Sequence, residues 1–203
     1  MARASKKDAE RHRQEIVAAS ARLFRERGIG GVSVPELMAA AGLTHGGFYG
    51  HFPSKSALAA EAIAEASREI GSALAATVDA HRDDRQAAFA ALVATYMSPH
   101  HRDDPGEGCP VSALIDYARD GCGTELGTAY HDSVETMIAA VQNVLPEGSG
   151  REDALAILAT MVGGLLLSRA CTGTPLSDEF LIAVRRNLGV SEKHDAAERE
   201  KIL

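Results

Sequence analysis

The stretch SVPELMAAAGLTHGGFYGHFPSK, Ser33 to Lys55, carries too many helix start and stop signals to form one long helix. Ser33 stands three residues before Glu36, the spacing of a capping box, and Pro35 is tolerated in a first helical turn. Gly42 suits a helix stop. Thr44 is placed to cap a further helix, Pro53 ends it, and Ser54 caps the next. The spacing therefore predicts a helix over Val34–Ala41, a shorter one over Thr44–Gly50, and a long one from Lys55.

The rest of the chain has the same helical character. Apolar residues recur at three and four positions, and period-two runs of Val, Ile and Thr are missing. Ile16, Ser20, Leu23 and Phe24 follow that pattern and Gly28 suits a left-handed cap, so a first helix is expected over Asp8–Arg27. The Ala-rich pattern from Lys55 predicts a helix to about Ala80, and further helices are expected over Arg85–Met97, Pro110–Arg119, Glu125–Val144, Arg151–Cys171 and Leu176–Asn187. Ser98–Gly108 reads as a loop and the charged end as a frayed helix or tail. The fold class is all-α.

Length and composition narrow the function. At 203 residues and 45% hydrophobic the chain can bury a substantial core. Its polar start has no secretory h-region, which predicts a cytoplasmic protein. The apolar run Ala154–Leu167 falls short of the roughly 20 residues of a bilayer span and reads as a buried helix, with no membrane partner. Cys109, Cys122 and Cys171 are an odd number without a CxxC, which argues against a disulfide framework or a structural zinc site. No metal site is expected at His12, His45 and His51, and His100, His101, Asp103 and Asp104 read as a solvated loop. The Gly28, Gly30, Gly31 cluster is a helix-ending turn and not a phosphate loop. No cofactor is expected.

Charge is unevenly spread. Residues 1–60 hold 9 Lys+Arg against 5 Asp+Glu, whereas the remainder of this −7 chain holds 12 against 23. Two short helices joined by a Gly-containing turn, carried on a longer helix in the basic third, constitute a helix-turn-helix. Its second helix, Thr44–Gly50, would enter a major groove of double-stranded DNA. Gly46 and Gly47 are each costly in a helix by roughly 1 kcal/mol relative to Ala, and make sense where the backbone approaches another surface closely. Tyr49 and Lys55 suit phosphates, Thr44, His45 and the glycines suit base edges, and Phe48 and Phe52 suit the core.

Ser33–Leu58, ending in Tyr49, His51, Phe52, Lys55 and Leu58 at the spacing Y-x-H-F-x-x-K-x-x-L, closely resembles the DNA-binding domain of the TetR family of bacterial transcription regulators. The resemblance covers about the first 60 residues. It implies that Ser33, Thr44, Tyr49 and Lys55 contact the DNA backbone, with His45 and Gly46 at the base-reading surface and Gly47 and His51 within the same DNA-facing set. Met38 and Gly47 depart from the usual residues, so base preference does not carry over.

The resemblance further implies a helix-turn-helix domain over 1–57 and a helical effector-binding and dimerisation domain over 58–203. The function expected is a non-enzymatic regulator, a repressor released from a palindromic operator by a small molecule or electrophile, with a transcriptional activator or a non-specific DNA-binding protein of the same fold as the alternative. The last two long helices would pair two copies into a homodimer, with Gly163, Gly164, Leu167, Phe180, Leu181 and Val184 at the interface. Tyr96, Tyr117, Met137 and Met161 are candidate effector liners. Cys109, just before Pro110 at a helix start, is either a reactive thiol or a helix cap. A small thiol enzyme using Cys109 with His100 or His101 is the rival from another class, and it lacks an evident second base or oxyanion donor.

Overall fold

The structure, a computed structural model, describes residues 6–118 and 123–190, and no strand occurs among them. Ten α-helices are described: α1 Lys6–Arg27, α2 Val34–Ala40, α3 Phe48–His51, α4 Lys55–Ala80, α5 Arg85–Tyr96, α6 Pro99–Asp103, α7 Pro110–Ala113, α8 Glu125–Val144, α9 Arg151–Ala170 and α10 Pro175–Asn187. Short 3-10 turns cover His45–Gly47 and Ile115–Ala118. Most expected boundaries fall within two residues of these. Cys122, Arg119 and the charged tail lie outside the described residues.

Three expectations need correction. Thr44–Gly50 is not one α-helix: it enters as the 3-10 turn His45–Gly47, and Thr44 makes no side-chain cap bond. Two consecutive glycines in the first turn favour the tighter, shorter geometry over a regular start. Ser98–Gly108 is not wholly a loop, because Ser98 accepts a bond from the His101 amide at 3.1 Å and Pro99 opens α6. It uses the same start chemistry as Ser33 and Pro35, hidden by a polar composition. The helix expected from Pro110 instead stops at Ala113 and continues as the 3-10 turn Ile115–Ala118.

The chain divides into two compact units. The first combines the residues up to Ile70 with Pro105–Val134, and the second combines Gly71–Asp104 with the residues from Glu135 onward. The core of the first is built by Ile16, Phe24, Leu37, Phe48, Phe52 and Leu58, all buried. Burying each such side chain contributes roughly 1.5–3 kcal/mol. These are the positions that the three-and-four periodicity of α1 and the spacing of α2 and α3 bring to one side.

In the second unit α9 lies along α10, and the hairpin between them is pinned by polar groups. The Ser168 hydroxyl donates to the Ser177 carbonyl at 2.7 Å and the Ser177 hydroxyl donates back to the Ser168 carbonyl at 2.8 Å. Arg102 of α6 donates to the Ser177 hydroxyl and pairs with Asp178, while Arg169 donates to the carbonyls of His101 and Arg102. His101 is thus part of a packed cluster rather than a solvated loop. Its ring stands edge-on to Tyr96 at 4.6 Å, and loss of surrounding water holds its pKa down to about 4. By length and composition α9 could cross a membrane, but Ala154, Leu158, Met161 and Leu165 are buried within this unit.

Candidate nucleic-acid interface

The outward face of the helix-turn-helix is set by caps at three points. At the start of α2, Glu36 accepts from the Ser33 amide at 2.8 Å and from the Ser33 hydroxyl at 2.6 Å, completing the capping box. Those two bonds, and a third from Arg27 at 2.7 Å, hold the Glu36 carboxyl at about 2. At its end, Gly42 has φ +70°, its amide bonds to the Ala39 carbonyl, and the Leu43 amide bonds to the Met38 carbonyl. That pair of bonds is a Schellman motif, which fixes the direction in which the chain leaves α2. Ser54 then accepts from the Ala57 amide at 3.0 Å to start α4.

The core side of α3 is Phe48, with Phe52 just beyond it, their ring centroids 5.8 Å apart. Arg13 of α1 lies over the Phe52 ring at 4.7 Å and pairs with Glu61 of α4 at 2.5 Å, tying the carrier helices together. With Phe48 inward, Tyr49 is turned outward and is 73% exposed. Thr44, His45, Gly46 and Gly50 are exposed beside it, while Gly47, His51 and Lys55 are half-buried. A Cβ added at Gly46 or Gly50 would meet nothing within 4 Å, whereas one at Gly47 would touch only the Met38 methyl at 3.6 Å. The fold itself therefore does not require these glycines. Ser33 is exposed, but its hydroxyl proton goes to Glu36 and its oxygen accepts from the Glu36 amide, so the side chain is engaged in the cap rather than free to donate outward.

Among the other expected site residues, Gly164, Leu181 and Val184 are buried within the second unit, and Phe180 is half-buried. A Cβ at Gly164 would lie 2.5 Å from Val184 Cγ2 and 3.1 Å from Met97 Cε. Gly163 faces open space and Leu167 is 50% exposed, as are Leu155, Leu176 and Ile182 in comparable degree. Tyr96, Met137 and Met161 are buried in the second unit, while Cys109 and Tyr117 belong to the first. Cys109 is buried at the start of α7, where its carbonyl accepts from Ser112. It neighbours Tyr130, whose phenol is pushed up to about 12, first by burial and then by the cysteine's charge. An open groove of about 490 Å³ in the second unit is lined by Leu74, Val78, Ala139 and Ala140 with Asp79 and Asn143, and none of the five expected effector residues lines it. Exposure in the folded units adds Gly50, Leu155, Leu176 and Ile182 to the candidates, which no local sequence pattern singles out.

Residues 16–62 match the family described as bacterial regulatory proteins, tetR family. Over 61 residues the chain is 43% identical to the HTH-type transcriptional regulator AcrR of Shigella flexneri, a match spanning 30% of this chain and 28% of that one. It is 26% identical to the HTH-type transcriptional repressor DhaR of Mycobacterium sp. (strain GP1), across 85% of this chain and 89% of that one. In fold it resembles the crystal structure of a TetR transcriptional regulator from Chloroflexus aurantiacus, with a TM-score of 0.73 at 24% identity over 90% of this chain and 94% of that one. The capped helix-turn-helix, the matched motif and the all-helical fold agree: residues 16–62 carry the DNA-binding head of the tetR family of bacterial regulatory proteins, and the chain as a whole has the fold of a TetR transcriptional regulator.

Proposed function

We propose that the protein is a repressor that binds an inverted-repeat operator as a homodimer and leaves it when a small molecule binds. The observation that carries this reading is the outward face of the helix-turn-helix, where Thr44, His45, Gly46 and Tyr49 stand exposed on a core that does not need their exposure. Thr44 and His45 can reach base edges, Tyr49 and Lys55 can reach phosphates, and the bare glycines let the backbone come close. One such head reads one half-site, and two heads on a two-fold dimer gain both avidity and spacing.

The dimer surface we assign is the open side of α9 and α10, with Leu155, Gly163, Leu167, Leu176 and Ile182. Gly164, Leu181 and Val184 serve instead the packing of α9 on α10 inside each subunit. Repression is favoured by the likeness to DhaR, a named repressor, over most of the chain. An effector releases DNA only if it binds the DNA-incompetent state more tightly, and the coupling is reciprocal. An apolar molecule with a polar end suits the groove between Leu74 and Ala139, where Asp79 and Asn143 offer polar partners.

The test is selection of bound fragments from a random DNA pool at near-physiological salt with reductant present. An inverted repeat is the expected product, and its absence would remove the reading. Leu167→Glu should give a monomer that no longer binds that repeat as a unit. Operator release by a thiol-reactive compound that persists in Cys109→Ser would assign the effector to a reversible site and leave Cys109 as a helix cap.

A further inference from the structure

We propose that Tyr117 and Arg25 are positioning residues for the DNA-binding head, locking the segment Pro105–Ala118 onto the turn that aims α2. This rests on the DNA-binding reading above. The segment is remote in sequence from the head yet belongs to the same compact unit, and it grips the head at four places. The Tyr117 hydroxyl accepts the Gly30 amide at 3.0 Å. Gly28, at φ +74°, lies so close under the same phenol that a Cβ there would stand 2.6 Å from its oxygen. Arg25, 5% exposed, donates to the Gly108 carbonyl at 3.1 Å, to the Ala21 carbonyl at 3.0 Å and to Glu69 at 3.4 Å. Arg22 pairs with Glu107, and Gly106 leaves room for Glu26, which a Cβ would approach to 2.6 Å.

These contacts converge on a short piece of chain. Gly28–Gly31 is the turn that leaves α1, and Ser33 at its end caps α2. The direction of that turn therefore sets where α2 starts, and the Schellman motif at Gly42 passes the direction on to α3. A guanidinium withdrawn from water is held tightly by its acceptors, because leaving it unpaired is costly. Tyr117 adds a directional bond to the Gly30 backbone amide. Cutting that bond frees the aim of the head without touching any residue that faces DNA.

Tyr117→Phe removes one hydroxyl and keeps the ring over Gly28, so the fold survives. We expect three results from the full-length variant. Hydrogen exchange at the Gly30 amide rises about tenfold or more, while the melting temperature stays close to that of the parent. Affinity for the operator selected by the parent protein falls by about tenfold, while binding to random DNA is unchanged. A fresh selection returns the parent's half-site with a wider range of half-site spacings, which a merely structural role would not produce. An unchanged Gly30 exchange rate overturns the bond, and faster exchange with unaltered operator affinity and spacing overturns the positioning role. A parent protein that enriches no sequence removes the DNA-binding reading itself, whatever Gly30 does, and the proposal falls with it.

Discussion

The interior of the head and the α9–α10 hairpin are held by opposite means. The head is an apolar core, Ile16, Phe24, Leu37, Phe48, Phe52 and Leu58, in which the Ser20 hydroxyl is buried with no hydrogen-bond partner. The hairpin is pinned by reciprocal bonds between Ser168 and Ser177 and by the guanidiniums of Arg102 and Arg169. Apolar packing tolerates small shifts of one helix on another, whereas directional bonds between fixed carbonyls do not. The apolar interior of the head can thus give slightly while Tyr117 and Arg25 hold its aim, and the hairpin keeps a single register.

The glycines make the same contrast. Those at 46 and 50 meet nothing, so the fold would accept a side chain there, while Gly164 is required by the contact of α9 with Val184.

The largest effect that follows from this contrast belongs to pH. His101 packs against Tyr96, with the His101 carbonyl bonded by Arg169 and His100 nearby, and burial lowers its pKa from 6.5 to about 4. The folded state then binds fewer protons than the unfolded state between those values, so stability is lost as pH falls from 6.5 towards 4. We expect a loss of about 2–3 kcal/mol over that interval, read as urea midpoints, and a largely flat profile there for His101→Asn. A parent profile that is flat across the same interval would break the contrast. Next in size, Gly164→Ala should cost about 1–2 kcal/mol net, the crowding against Val184 outweighing the gain in helix propensity. A variant as stable as the parent would mean that α10 moves aside freely.

Smaller changes test the head. Ser20→Ala removes a buried hydroxyl without a partner and should raise stability by about 1 kcal/mol by denaturant melts. Gly50→Ala should raise it by at most about 1 kcal/mol while weakening operator binding in a titration, since the added methyl stands on the exposed face that we assign to DNA. Equal or better DNA affinity in that variant would show that the bare strip is not needed. The smallest effect is at Glu36, whose carboxyl is held at about 2 by the Ser33 hydroxyl and amide and by Arg27. Its contribution to the cap is complete above the unfolded value of 4.5 and is lost as pH falls towards 2, so Glu36→Gln should flatten the acid limb of the melting profile.

The same contrast explains what the sequence could reveal. Helix spans and the inward places of Phe48 and Phe52 follow from periodicity and from local cap chemistry, which act over three or four residues. The capping box at Ser33 and the stop at Gly42 were legible for that reason. Arg102 with Ser177, Arg25 with Gly108 and Tyr117 with Gly30 join residues more than 70 positions apart, and nothing in the local pattern announces them. Tyr117 was readable as an aromatic of the middle helices, hence as an effector liner, while its bond to the turn after α1 depends on how the chain returns. The six interface candidates on α9 and α10 share one apolar pattern, and only packing separates the inward Gly164, Leu181 and Val184 from the outward Gly163 and Leu167.

The compact unit that contains the head is discontinuous, since it takes in Pro105–Val134 as well as the residues up to Ile70. The head is therefore not a cassette that can be lifted out by a single cut. A chimera that transplants only the first helices onto a relative leaves behind the carbonyl that Arg25 binds and the phenol that Tyr117 sets against Gly30. Exchange of DNA specificity between such proteins, by engineers or by recombination, needs two crossovers rather than one, or else replacement of the outward residues alone on an unaltered frame.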